Sequence, residues 1–479
     1  MKSSYLTVTD QFCGAGGSSV GATAAGVELR MALNHWQLAI DTHNTNFPNA
    51  GHDCTDISAC DPRRYPSTDI LITSPECTNH SLAKGKHKTM QSDLFGNGPD
   101  PAEERSRATM WDVPRFAEYH RYNAIIVENV VDARQWVNWT AWLLAMRQLG
   151  YDHKTVFYNS MHAHPTPQSR DRMYVVFWRR GNTPPELDIH PPAWCERCGR
   201  DVATVQTWKN GKRAGRYRQQ YIYGCPHCAS TVEPYYYCAA SAIDWTLECP
   251  RIGDRDKPLK AKTMERIRAG LEKFGRQALV TDTAFGDGDR TVLISDAMRT
   301  QTTRQTMGMV VPPFMADIVH TPHGSVTSML SPVTRAHRTQ IGQITHALIV
   351  PYYSTGQVSG AGEPLPTVTT VDRHALAIPP FIVGYYTRPT GVQAALSGID
   401  DALPTQSTQP RHYLVQPGDV PSVEDCGFRM LQPHEIQAAM AFPTEYRVLG
   451  NKRDQVRQLG NAVTPPVMQM LVERVVKAL

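Results

Sequence analysis

Four short segments carry residue types that could do chemistry together. They are Asp10-Gln-Phe-Cys-Gly-Ala-Gly-Gly17, Ser74-Pro-Glu-Cys-Thr-Asn-His-Ser81, Glu128-Asn-Val130 and Gln168-Ser-Arg-Asp-Arg172. The first is a glycine turn straight after an apolar run, where backbone can approach a ligand closely. The second holds Cys77 directly after the apolar run Ile70–Thr73, a position that suits either a nucleophilic thiol or a buried structural one. Glu128 ends the run Ala124–Val127, so its carboxylate is expected at the carboxyl edge of a sheet, where α/β proteins bind ligands. Arg170 and Arg172 are either two cations for that site or a charge pair at a strand start. A fifth constellation stands apart: Cys195-x-x-Cys198 and Cys225-x-x-Cys228, with 26 residues between the pairs. Four thiolates so spaced read as a closed, structural zinc site, the other possibility being two disulfides.

The elements that would position these residues are legible in outline. Leu6–Phe12, Arg30–Asn34, Ile70–Thr73, Ala124–Val127, Lys154–Tyr158 and Met173–Trp178 read as short strands bounded by turn residues. Their alternation with helical segments predicts a doubly wound, Rossmann-like α/β sheet. Ser18 and Ser19 are placed to cap the first helix, through Ala25. Residues 181–192 resemble a linker, and 257–276 an amphipathic helix with Ile267, Leu271 and Phe274 on one face. A degenerate repeat over 296–417 sets Thr-rich turns before apolar strands, as at Arg299–Thr303 and Pro366–Thr370, which predicts a β-rich region. The C-terminal residues return to helical patterning, with a last helix over Val467–Leu479.

Bulk properties narrow the class. The 479 residues suggest more than one domain, and 41% hydrophobic with 20% charged content fits a globular chain. There is no apolar run long enough for a membrane span and no secretion signal in the given N-terminus, which points to a cytoplasmic protein. The net charge of +4 says little, but its distribution says more. Residues 251–276 carry nine Lys/Arg against four Asp/Glu, and 196–218 seven against two. Such patches suit either a phosphate backbone or plain solvation.

Taken in order, and closed by Gly460-Asn-Ala-Val-Thr-Pro-Pro466, the motifs resemble those of the DNA cytosine-5 methyltransferase family, of prokaryotic or phage type. The resemblance covers about half the chain, residues 1–180 and 425–479. It implies methyl transfer from S-adenosylmethionine to carbon 5 of a cytosine flipped out of double-stranded DNA. Cys77 would add to carbon 6 of the ring, and Glu128 would hold ring nitrogen 3 and the exocyclic amine. Arg172 would reach the cytosine carbonyl oxygen, and Arg170 would orient Glu128 or the nearby loop. Residues 82–100 would close over the base. The cofactor site would comprise Phe12, Gly14, Gly16, Gly17, Asn34, His35, Asp53, Cys54, Asn461 and Val463, with Asn34 at the ribose and Asp53 at the adenine amino group. Arg429 and Glu435 would form a structural ion pair. Two departures stand out: Glu76 occupies the position of the family's proline, and Asn34 that of its ribose-binding acid.

The implied layout is a catalytic domain at 1–182, a zinc ribbon at 190–235, a target-recognition region at 236–424 and a C-terminal return at 425–479. Such an enzyme needs no obligatory protein partner and no membrane. An RNA cytosine-5 methyltransferase and a non-catalytic DNA-binding relative are the alternatives.

Overall fold

A computed structural model describes residues 5–75, 109–274 apart from Trp245 and Cys249, short segments between 279 and 415, and 422–479. Cys77, Glu76 and the 82–100 segment lie outside the described residues, as do the Thr-rich turns at 366–370 and 404–408.

Seven strands form the central sheet: β1 (Thr7–Gln11), β2 (Glu28–Asn34), β3 (Gly51–Cys54), β4 (Ile70–Thr73), β5 (Ala124–Asn129), β6 (Tyr151–Asn159) and β7 (Asp171–Arg179). Their order is β3-β2-β1-β4-β5-β7-β6. The first five run parallel, and β7 is antiparallel to both β5 and β6. It is a mixed α/β sheet with a parallel core, consistent with the Rossmann-like expectation. β3 is a strand the apolar pattern did not reveal, because its sequence, Gly-His-Asp-Cys, contains no β-branched residue.

Strand alternation supplies both faces. Leu33, Leu71, Ile125, Val127, Val175 and Phe177 point to one core, filled by helices α3 (Asp112–His120) and α4 (Trp139–Gln148) through Phe116 and Trp142. Val8, Ile70, Ile72, Ile126, Tyr174 and Val176 point to the other. There, helix α1 (Gly17–Ala24) meets the last helix of the chain, Pro465–Ala478, through Ala22, Val467, Met468 and Leu471. A short helix α2 (Gln37–Asn46) joins β2 to β3.

The expected linker is not loose. Leu187 is buried in the second core, and the Glu186 carbonyl accepts from Arg474 at 2.9 Å. After it come five short strands: β8 (Pro192–Cys195), β9 (Arg200–Ala203), β10 (Val205–Trp208), β11 (Tyr221–Gly224) and β12 (Thr231–Val232). They form one two-stranded and one three-stranded antiparallel sheet. Their interior continues the first core: Tyr217, Tyr221 and Tyr223 belong to the same buried cluster as Phe157 and Met173 of the central sheet.

The predicted amphipathic helix is α5 (Ala261–Phe274), with Ile267 fully buried. Helices α6 (Pro433–Ala439), α7 (Lys452–Asn461) and α8 (Pro465–Ala478) close the chain. The chain divides into two compact units, 1–270 with 278–311 and 427–479, and 271–277 with 312–426. The first unit therefore includes residues 236–270 and 278–311, which the expected layout assigned to the recognition region. Among the described residues of the second, all strand pairing is antiparallel, for example Phe381–Arg388 between Gly391–Gly398 and His412–Val415. This agrees with the β-rich expectation.

Candidate active site

The carboxyl ends of β1, β4, β5 and the start of β7 meet at one edge, and two differently built regions occupy it.

The first is the glycine turn. β1 ends at Gln11, and the chain then reverses through Phe12 (φ 56°), Gly14 (φ 51°) and Gly16 (φ 82°), all left-handed. For an aromatic residue that conformation is strained and needs surrounding structure to hold it. The glycines are required for different reasons. A Cβ on Gly17 would sit 2.0 Å from the Val463 carbonyl oxygen, and one on Gly16 would sit 2.4 Å from the Tyr446 hydroxyl. A Cβ on Gly21 would lie 2.4 Å from the Pro465 carbonyl, which explains a glycine at 21 where a dinucleotide motif would place it at 19. The C-terminal segment thus presses on one side of the turn. At Gly14 the nearest atom to such a Cβ, among the described residues, is Phe12 O at 3.9 Å, so no described residue crowds that side.

Ser18 and Ser19 do not cap α1. They lie inside it, the cap position being Gly16 with no side-chain hydrogen bond. Both hydroxyls instead donate to Oδ2 of Asp10, at 2.5 and 2.6 Å. Asp10 is fully buried, and desolvation pushes its carboxyl up to about 6, opposed by the two serines. Ser19 also meets His43 Nε2 at 2.9 Å, and His43 Nδ1 meets His52 Nε2 at 2.8 Å. Because Ser19 donates to the acid, it accepts from His43 Nε2, which leaves Nδ1 to accept from His52. Burial pushes His43 down to about 3, so its ring is neutral. Asp10 was not singled out from the sequence, although an acid inside an apolar strand run is a readable signal of a buried hydrogen-bonded role.

Asp10 Oδ1, both polar side-chain atoms of Gln11, Thr73 Oγ1 and Ser74 Oγ are buried with no hydrogen-bond partner among the described residues. Buried polar atoms are nearly always satisfied, so a group of orphans at one strand edge fits a polar ligand. Beyond β2, the Asn34 side-chain oxygen accepts from Trp36 N at 2.9 Å, Asp53 Oδ2 accepts from the Tyr65 hydroxyl at 2.8 Å, and His35 and Cys54 are exposed. The proposed ribose and adenine contacts of Asn34 and Asp53 thus compete with partners already present. Val463 lies against Gly17, and Asn461 ends α7.

The second region is charged. In the β5–β7 register Glu128 lies opposite Tyr174, so Arg172, two residues before Tyr174, is its diagonal neighbour on the same face. Arg172 Nε reaches Glu128 Oε1 at 2.9 Å, with side chains 15% and 10% exposed. The partner of Glu128 is therefore Arg172, whereas the resemblance gave Arg170 the orienting of Glu128 or of the nearby loop. Arg170 is buried, and its Nη1 and Nη2 donate to the Gly460 and Ala462 carbonyls at 3.2 and 3.0 Å, tying β7 to the end of α7. Asn129 donates to the Pro75 carbonyl at 3.3 Å, and its own oxygen accepts from Val130 N. Pro75, two residues before Cys77, is thus held beside the end of β5.

Away from this edge, the sulfurs of Cys195, Cys198, Cys225 and Cys228 all lie within 4.8 Å of one another, two pairs being 3.5 and 3.7 Å apart. Zinc–sulfur bonds of about 2.3 Å in a tetrahedron put sulfurs about 3.8 Å apart, so the arrangement suits that ion. No disulfide links them. Gly199 and Ala229 take left-handed φ of 63° and 58°, and their amides bond back to the Cys195 and Cys225 carbonyls. The basic hairpin between the pairs is less available than its composition suggests. Arg218 pairs with Glu233 at 2.6 Å, Arg216 with Asp132, and Lys209 donates to the Arg218 carbonyl. Lys212 and Arg213 remain exposed. Arg429 and Glu435 form the expected ion pair, bidentate at 2.7 and 2.8 Å and buried.

The chain matches the family model for C-5 cytosine-specific DNA methylases over residues 6–207 and 338–477. It is 29% identical over 175 residues to the Type II methylase M.HgiEI of Herpetosiphon aurantiacus, covering 35% of this chain and 36% of the relative. Over 82 residues it is 33% identical to the Type II methyltransferase M.HgiDI of the same organism, covering 16% of this chain and 26% of the relative. It therefore spans between about a quarter and about a third of the length of these curated relatives. A solved structure of Spodoptera frugiperda DNMT2 aligns over 98% of this chain and all of its own, at 13% identity and a TM-score of 0.49. Among the described residues no helix is long and apolar enough to cross a membrane.

Proposed function

The chain belongs to the C-5 cytosine-specific DNA methylase family, and from that premise we propose that it methylates carbon 5 of cytosine in double-stranded DNA. That carbon is a poor nucleophile. A thiolate adding to carbon 6 turns the ring into an enamine able to attack a methyl sulfonium, and loss of the carbon-5 proton then expels the thiolate. Cys77 is the thiol in this reading. Glu128, protonated or sharing a proton, holds ring nitrogen 3 while charge develops there. Arg172 fixes that carboxyl and approaches the ring carbonyl.

The observation that carries the reading is the Glu128–Arg172 pair at the carboxyl edge, beside the strand exit leading to Cys77. S-adenosylmethionine, when bound, supplies the methyl group. The side of Gly14 that no described residue crowds, and the polar atoms of Asp10 and Gln11 left without a partner among the described residues, suit its amino-acid end. Phe12, Gly16, Gly17 and Val463 shape the same turn, and Asn34, His35, Asp53, Cys54 and Asn461 complete the proposed cofactor set. Zinc on the four cysteines has a structural role, since no ligand position stays open. Residues 236–424 include the part that recognises DNA, while the target base is flipped at a cost of a few kcal/mol.

Labelled methyl donor incubated with duplex DNA and, separately, with tRNA tests the activity. Transfer to duplex DNA that disappears in Cys77→Ser, with a covalent adduct on 5-fluorocytosine duplex, supports the reading. Transfer to tRNA alone moves the substrate to RNA. Binding of DNA with neither transfer nor adduct makes the chain a non-catalytic relative and overturns it.

A further inference from the structure

Two of the contacts between the cysteine module and the central sheet flank the Glu128–Arg172 pair. Arg216 Nη2 lies 2.5 Å from Asp132 Oδ2, with side chains 28% and 18% exposed. Asp132 stands four residues after Glu128, in the 3-10 turn that leaves β5. The next residue, Tyr217, donates its backbone amide to Asp171 Oδ1 at 2.9 Å. Asp171 precedes Arg172, and its carbonyl accepts from Arg172 Nη1 at 2.8 Å. Two consecutive residues of one turn thus hold the exit of β5 and the entry of β7. Alternation puts Asp171 on the face opposite Arg172, so the grip comes from behind the pair.

That turn is itself firmly set. A Cβ on Gly215 would meet the Gln220 side chain at 2.3 Å, and Gln220 Oε1 accepts from the Arg216 amide at 2.8 Å. The Tyr217 ring is buried edge-on against His162, with centroids 4.7 Å apart, and beside Tyr221 and Tyr223. Gln206 donates to the Phe157 carbonyl of β6 at 3.0 Å, and Trp208 meets the Phe157 ring edge-on. Isolated exposed ion pairs hold little. This contact differs in being partly buried and doubled by a neighbouring backbone bond, and in ending beside the two residues whose geometry matters most.

We infer that the cysteine module is a positioning element for the Glu128–Arg172 pair, acting through Arg216 on Asp132 and through the Tyr217 amide on Asp171. The inference rests on the role given to that pair above. Arg216 faces the sheet, whereas Arg213, three residues earlier, is exposed to solvent.

The test compares Arg216→Ala, Arg216→Lys, Asp132→Asn and Arg213→Ala in the full chain. Misplacing a catalytic group by about 1 Å can cost about a hundredfold in rate, so Arg216→Ala should lower kcat by tenfold or more, with KM for DNA little changed. Asp132→Asn should lower kcat to a similar extent from the sheet side, and Arg216→Lys should recover part of the loss. Arg213→Ala should leave kcat unchanged. Amide hydrogen exchange is the second readout and needs no turnover. In Arg216→Ala it should rise over residues 128–135 and 171–174 while residues 221–224 and the bound metal are unaffected. A protein that transfers no methyl group would sink the proposed function but leave the exchange result standing. Unchanged exchange in both segments, or a raised KM with intact kcat, overturns the inference.

Discussion

The two regions at the sheet edge are held by opposite means. Around the glycine turn the protein works by exclusion: the Val463 and Pro465 carbonyls and the Tyr446 hydroxyl occupy the volume where side chains on Gly17, Gly21 and Gly16 would begin. Around Glu128 it works by charge: Arg172 reaches the acid across the strands, Asp132 takes Arg216, and Arg170 donates to the carbonyls of 460 and 462. Exclusion fixes a backbone and tolerates almost no added atom. Charge fixes side chains, and should tolerate changes of shape better than changes of charge.

The largest expected effect would break the first half of that contrast. Gly17→Ala drives a methyl into a backbone carbonyl that cannot rotate away, and overpacking of this kind costs about 3 kcal/mol or more. Thermal unfolding should show a large fall, with the C-terminal helices becoming sensitive to protease. Gly14→Ala, at φ 51° and with no described atom nearer than 3.9 Å, should cost only about 1 kcal/mol, from backbone strain alone. Equal melting temperatures for the two would contradict a turn shaped by its neighbours.

At the charged region, Glu128→Gln keeps the shape and removes the acid. General acid catalysis is worth about a hundredfold or more, so methyl transfer should fall by at least that factor while the unfolding midpoint barely moves. A variant that unfolds early but turns over normally would mean that the carboxylate is structural.

A pH-dependent test sharpens the contrast, because it asks whether the glycine turn also depends on charge. Asp10 has its carboxyl raised by burial from 3.8 to about 6. A carboxyl raised on folding favours the folded state while protonated, and loses that advantage as pH climbs from the unfolded value through the folded one. The loss amounts to about 3 kcal/mol once pH is well above 6. Asp10→Asn stays neutral throughout, so its stability relative to the parent should improve steadily between pH 4 and pH 7 in denaturant unfolding. A difference independent of pH, or one of the opposite sign, would show that the serine hydroxyls fully compensate the buried charge.

Much of this molecule could be read before its fold was known. The six expected strands lie where the apolar runs are, and Glu128 lies at the carboxyl end of β5, one residue before its last, as its place after the run Ala124–Val127 implies. The cysteines at 195, 198, 225 and 228 converge as their spacing predicts, and Arg429 finds Glu435. These features depend on local periodicity or on partners close in sequence. What could not be read depends on register and distance. Ser18 and Ser19 look like caps until Asp10 is seen beneath them. Arg216 looks like a phosphate contact until the turn carrying it packs on Asp132, 84 residues earlier.

The sequence by itself determined which residues face which side of each strand, because alternation is a property of the single chain. Only the tertiary structure decided who meets whom across strands: that Arg172 and not Arg170 takes Glu128, and that the 460–465 segment is what forbids a side chain at 17 and 21. Pairing partners are set by how strands slide past each other and by where segments some 290 to 450 residues apart come to rest. Such choices are made by the packing of the whole unit, and no short window of sequence contains them.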